Sequence, residues 1–172
     1  RWIRDLIEDR KTGRISERDV DRLLDGAIPS AVHMQERAGL DFVSDGEWRR
    51  ESYVKIFAEA VDGFQADLVP TGGSGISNLS YPAVVSRLVP RRPIAVAEVS
   101  FLREHTDAKV IVAIPSPYTI GRRMWSAEHS ASAYATREEF MEACIPIIRN
   151  EVQELAGLGV DADGNVYAAD TS

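Results

Sequence analysis

The sequence predicts an α/β fold on parallel strands, either an α/β barrel or a doubly wound sheet. Two observations carry the prediction. Short apolar runs at residues 40–44, 81–89 and 109–114 alternate with stretches of helical spacing. Short turns separate these units, as right-handed crossovers between parallel strands require. A third observation separates the two versions: no Gly-rich fingerprint follows the first run, which lowers the dinucleotide-binding form of the doubly wound sheet.

The elements follow in order. Trp2, Ile3, Leu6 and Ile7 keep helical spacing and Gly13 closes that run, giving a short amphipathic helix over residues 1–12. Ser16 with Asp19 three residues on makes a helix start. From there Val20, Leu23, Leu24, Ala27, Ile28, Ala31, Val32 and Gln35 continue one stripe to Gly39. Pro29 is expected to kink or split this helix near Ile28. Residues 40–44 then read as a buried parallel strand, ended by Asp45-Gly46-Glu47. Tyr53, Ile56, Phe57, Ala60 and Val61 return to helical spacing until Gly63.

Residues 65–80 are rich in Gly, Ser and Thr around Thr71–Gly75 and read as a loop; no GK[ST] ending marks a phosphate cradle. Residues 81–89 are strand-like and 94–105 helical. Residues 109–114 form the clearest buried strand by pattern, stopped at Pro115-Ser116-Pro117. Residues 118–125 suit a short helix. Thr136 with Glu139 caps a helix through Ala156, perturbed by Pro146, and Val160-Asp161 would begin another strand.

Composition bounds the function. The chain has 172 residues, 44% hydrophobic and 27% charged, with a net charge of −7. That balance is one of a soluble globular domain and argues against nucleic acid or an anionic membrane as the main partner. The pairs Arg49-Arg50, Arg91-Arg92 and Arg122-Arg123 are too short for a phosphate-backbone patch and suit at most a small anion. No apolar run approaches the ~18 residues of a membrane span. A single cysteine, Cys144, excludes an internal disulfide framework and makes the cytoplasm the default compartment. The chain does not begin with Met and reads as starting mid-sequence.

Ligands of parallel α/β sheets collect at the carboxyl ends of strands. The first such end carries Asp45 and Glu47 around Gly46: either a carboxylate for an amino group or acid/base work, or a turn cap and an Arg partner. The second carries Arg87 inside an apolar run, where it either meets an anion or snorkels to solvent. The third presents Ser116, Tyr118 and Thr119, followed by Trp125, as ligand contacts or a rigid turn. His33, His105 and His129 share no ligand spacing, and Cys144 has no second Cys, so no zinc site is legible.

Residues 38–50 (AGLDFVSDGEWRR) followed by 57–64 (FAEAVDGF) resemble the cobalamin-independent methionine synthase family, and Ser86-Arg87 with residues 114–120 (IPSPYTI) fall in order for two later family motifs. The resemblance covers residues 1–161. It implies a partial (β/α)8 TIM barrel of the uroporphyrinogen decarboxylase and methionine synthase type; a closed barrel needs about 250 residues. It also implies methyl transfer from methyltetrahydropteroyl-polyglutamate to homocysteine held on zinc. Glu47 matches the glutamate that holds the homocysteine amine, with Asp45 beside it, and Arg87 a folate contact, although the Cys that often follows is Leu88 here. Ser116, Tyr118 and Trp125 are further substrate contacts on the same likeness. The family's zinc ligands would lie beyond Asp161, so the resemblance implies a chain that ligates no zinc and is inactive alone. Residues 162–172 form an atypical tail with a hairpin signal at Asp163-Gly164-Asn165, similar to one strand pair of an NHL-type repeat. Alkyl transfer to another thiol, of the epoxyalkane to coenzyme M kind, is the alternative enzyme. A non-catalytic module that dimerises through open sheet edges is the alternative from another class.

Overall fold

The computed structural model describes residues 2–66, 68 and 80–158. The centre of the Gly-rich loop at 71–75, the strand start at Val160-Asp161 and the tail at 162–172 lie outside them. The chain divides into two compact units, one comprising residues up to Ser52 with Glu98–Val112, the other Tyr53–Ala97 with the chain from Ala113 onward.

In the first unit, helix α1 (Trp2–Lys11) gives way to α2 (Glu17–Arg37) at Ser16, whose Oγ accepts the Asp19 N–H at 3.2 Å and donates to the Asp19 carboxylate at 2.6 Å. Satisfying an orphan N–H there sets where α2 begins. Its apolar stripe, Val20, Leu24, Ile28 and Val32, packs with Leu6, Val43 and Leu102 into one buried cluster. The expected break at Pro29 does not occur: α2 is one continuous helix of 21 residues. Ile28 and Val32, buried on either side of the proline, hold both halves against the same core, which offsets the lost hydrogen bond.

Strand β1 (Phe42–Val43) follows, and the greater part of helix α4 (Val96–Arg103) and strand β4 (Lys109–Val110) complete the unit. β1 and β4 are parallel, with Phe42 opposite Lys109 and Val43 opposite Val110. The strand expected over 109–114 is therefore only two residues long, and Ile111 is exposed. β-branched composition favours a strand but cannot make one without a partner, and β1 ends where the backbone turns at Ser44–Glu47.

The second unit holds α3 (Lys55–Ala60), β2 (Val61–Gln65), β3 (Ala83–Pro90), α5 (Pro117–Met124), α6 (Ala127–Ser130) and α7 (Arg137–Gly157). The helix expected to run to Gly63 stops at Ala60, and β2 and β3 pair antiparallel rather than parallel. The ladder is irregular at Gly63, whose φ of 125° and whose absent Cβ, 3.0 Å from the Ser86 carbonyl, admit only glycine without strain. Thus Val61-Asp62-Gly63-Phe64 is a bulged strand. Phe57, Phe64, Tyr134 and Phe140 build the core, with ring centroids 6.0 Å apart for Phe57 and Phe64 and 5.3 Å for Tyr134 and Phe140. Each fully buried aromatic contributes about 2–3 kcal/mol. α7 runs unbroken past Pro146.

Candidate functional site

Chemistry in the first unit centres on the turn after β1. Gln35 on α2 fixes the end of that strand through its amide, donating to the Ser44 carbonyl at 2.8 Å and accepting the Ser44 N–H at 3.1 Å. Past this clamp two consecutive residues take the left-handed conformation, Gly46 at φ 72° and Glu47 at φ 58°. Gly46 does so freely. Glu47 is the only non-glycine residue with positive φ among those described, and a side-chain-bearing residue there is strained by about 1 kcal/mol. The strained turn carries two carboxylates, Asp45 and Glu47, on either side of Gly46.

Asp45 is buried, 5% exposed. Its Oδ1 accepts the Glu47 N–H at 2.8 Å, so the turn-capping role holds. Its Oδ2 is buried and, among the described residues, has no hydrogen-bond partner, an expensive state that a ligand donor would relieve. Glu47 is partly exposed, its carboxylate 3.8 Å from the Arg50 guanidinium. Beside the turn lies a shallow groove of about 390 Å³, lined in part by Met34, Gln35, Leu40, Ser44, Gly46 and Trp48.

Arg50, 2% exposed in its side chain, closes the turn from behind. It donates to both carboxylate oxygens of Glu98 on α4, with Nε 3.0 Å from each and Nη2 at 2.6 Å from Oε2. Burial pushes the Glu98 carboxyl above its ordinary value, and the Arg50 hydrogen bond and charge pull against that. For Arg50 burial works downward, but Glu98, Glu47 and Asp45 more than reverse it and hold the guanidinium above its ordinary value. Arg49 turns the other way, pairing with Asp25 at 2.5 Å and lying 4.7 Å from the centroid of the Phe101 ring.

The other predicted residues belong to the second unit. Arg87 sits mid-strand in β3, not at a strand end, and its side chain is exposed, so the expected buried cation is not there. Burial in β3 is confined to its start, at Ala83 and Val84, and Ser86, Arg87 and Val89 are exposed, which the apolar run conceals. Arg87 pairs with Glu139 at 2.9 Å and lies 4.5 Å from the centroid of the Tyr134 ring. Trp125 donates its indole N–H to the Tyr134 carbonyl at 3.1 Å, and Leu88 donates its N–H to the Tyr134 hydroxyl at 2.8 Å. Tyr134 thereby ties Arg87 and Trp125 to one neighbourhood. Ser116 is the N-cap of α5, accepting the Thr119 N–H at 3.2 Å, and Tyr118 is 53% exposed.

Residues 2–162 match the family model described as cobalamin-independent synthase, catalytic domain. The chain belongs to that family. It is 30% identical over 160 residues to a methionine synthase of Sulfurisphaera tokodaii and 29% identical over 161 residues to one of Saccharolobus solfataricus. Each alignment covers 92% of this chain and 46% of the relative, so the chain spans under half the length of the curated synthases it matches. A solved B12-independent methionine synthase from Shewanella sp. W3-18-1, in complex with selenomethionine, superposes with a TM-score of 0.73 at 26% identity, covering 86% of this chain and 42% of that one. The fold is accordingly part of a synthase-type α/β barrel; among the described residues its strands form two separate two-stranded sheets.

The described residues of this synthase-family chain do not fit the zinc site its family implies. No three His, Cys, Asp or Glu side chains among them are placed to hold a metal ion together. Cys144 is fully buried, and burial pushes its thiol up to about 12, which opposes the thiolate a metal needs. Nor is any helix among them long and apolar enough to cross a membrane.

Sequence reasoning missed Glu98, 48 residues from its partner Arg50. It reads as one more charge on an amphipathic helix. It also missed Glu151, 2% exposed, which accepts the N–H of Ile94 at 2.7 Å and of Ala95 at 2.6 Å. The only available signal was a carboxylate in a helix whose neighbours are apolar.

Proposed function

We propose that the chain forms the amine-anchoring part of a cobalamin-independent methionine synthase catalytic domain, with homocysteine as the thiol substrate. The observation that carries this reading is the buried Asp45 oxygen without a donor, next to a Glu47 held in a strained backbone. An ammonium group supplies three donors and a positive charge, which answers both carboxylates at once. Asp45 and Glu47 bind and orient the amino acid; neither takes part in bond making. The methionine synthases among its relatives, and the selenomethionine bound in one of them, favour an amino acid thiol over other acceptors.

On the same reading Arg87, Ser116, Tyr118 and Trp125 meet the folate polyglutamate, Arg87 exchanging Glu139 for a substrate carboxylate. On this reading the barrel domain is residues 1–161, and residues 162–172 are a tail that is not part of it. Zinc, which would make the thiol a nucleophile, has no site among the described residues, and on this reading the chain is cytoplasmic and inactive alone.

Calorimetric titration tests the anchor. L-Homocysteine binds the unsubstituted chain, and Asp45→Asn and Glu47→Gln each weaken it at least tenfold, about 1.4 kcal/mol. The analogue 4-sulfanylbutanoate, which lacks only the amine, binds all three forms alike. Equal loss of both compounds would contradict an amine anchor.

A further inference from the structure

The buried pair Arg50–Glu98 lies against the proposed anchor. Asp45, Glu47 and Glu98 set three carboxylates around one guanidinium, and the Arg50 Nη1 is 3.8 Å from the Glu47 carboxylate. Both Glu47 and Asp45 attract this guanidinium, and Arg50 moved onto them would fill the place of a ligand cation with the protein's own. Glu98 prevents this. Its carboxylate takes the guanidinium in a fork with three contacts of 2.6–3.0 Å and is itself only 10% exposed. The neighbouring cation cannot take over, because Arg49 is engaged with Asp25 and Asp21.

We infer that Glu98 is a positioning residue that sets the charge of the site: by holding Arg50 in its fork it keeps the guanidinium off Asp45 Oδ2 and no closer than 3.8 Å to Glu47, which leaves both carboxylates to bind the ammonium of an amino acid. This rests on the amine-anchor reading above. The consequence is an uncommon pattern in which removing a carboxylate that does not touch the ligand abolishes cation binding, and removing the neighbouring cation as well restores it.

Two variants test this against a purely structural role. Glu98→Met removes the bidentate partner of a buried guanidinium, which turns further toward Asp45 and Glu47; Arg50→Met with Glu98→Met removes both charges, a replacement that buried pairs commonly tolerate. The single variant loses L-homocysteine affinity at least tenfold while 4-sulfanylbutanoate binding stays within threefold. The double variant binds L-homocysteine as tightly as the unsubstituted chain or more so. Equal loss in both variants would show that the pair only supports the fold, and would overturn the inference. Should the single variant not fold, the double decides alone, retained affinity supporting the inference and lost affinity refuting it. The crystal structure of the single variant needs no ligand: Arg50 within hydrogen-bond distance of Asp45 or Glu47 supports the inference, and Arg50 elsewhere refutes it. An unsubstituted chain that ignores L-homocysteine would defeat the anchor reading, and that crystal structure would still decide the role of Glu98.

Discussion

At the scale of single residues, Glu47 joins backbone strain to the proposed anchor. Its left-handed φ of 58° suits glycine, so Glu47→Gly relaxes the turn and raises stability by about 1 kcal/mol while losing the anchor carboxylate. A higher melting temperature together with weaker homocysteine binding is the expected pair of results. Cys144 gives a second prediction, in pH. Its thiol is pushed up to about 12 in the folded chain, whereas in an unfolded chain it ionises near about 8.5. Below that lower value the thiol is protonated in both states and contributes no pH dependence. Above it only the unfolded chain ionises, so stability falls as pH rises through the window, by up to about 1.4 kcal/mol per pH unit. Urea melts between pH 8 and 10.5 show a shallower decline in Cys144→Ala than in the unsubstituted chain. A thiol reagent labels Cys144 only as the chain opens.

At the scale of elements, two helix contacts are decisive. Gly121 on α5 faces α7 so closely that an added Cβ would lie 2.2 Å from the Met141 side chain. Gly121→Ala therefore costs about 1–3 kcal/mol, read from denaturant midpoints. Glu151 satisfies two buried N–H groups ahead of α4, and Glu151→Ala strands both. That substitution costs about 2–5 kcal/mol. Glu151→Gln, which keeps an acceptor, costs less. The sequence made the helix starts at Ser16 and Thr136 legible because a capping signal needs only three residues of context. The turn at Asp45-Gly46-Glu47 was legible for the same local reason. Pairings across the chain were not: β3 reads as a strand, but nothing in residues 81–89 says that its partner is Val61–Gln65 or that Arg87 faces solvent. The bidentate hold of Glu98 on Arg50 is equally invisible, since both residues look like ordinary surface charges until a fold buries them together.

At the scale of the whole molecule, each unit owns a core. Leu24, Ile28 and Val32 belong to the first, and Phe57, Tyr134 and Phe140 to the second. Phe140→Leu is therefore expected to lower hydrogen-exchange protection in β2, β3 and α7 before it touches α2, in keeping with unfolding by cooperative units. Uniform loss across both units would contradict that division. The family likeness accounts for the fold, the substrate anchor in the first unit is the proposal made above, and no cluster of His, Cys, Asp and Glu among the described residues is placed to hold a metal ion. The central claim is thus the anchor, and a crystal structure of the chain with bound L-homocysteine tests it most directly. The expected result is the amine nitrogen within about 3 Å of both Asp45 Oδ2 and a Glu47 carboxylate oxygen, hydrogen-bond distance for an ammonium. An amine turned away from that turn, with Asp45 Oδ2 still lacking a donor, would contradict it.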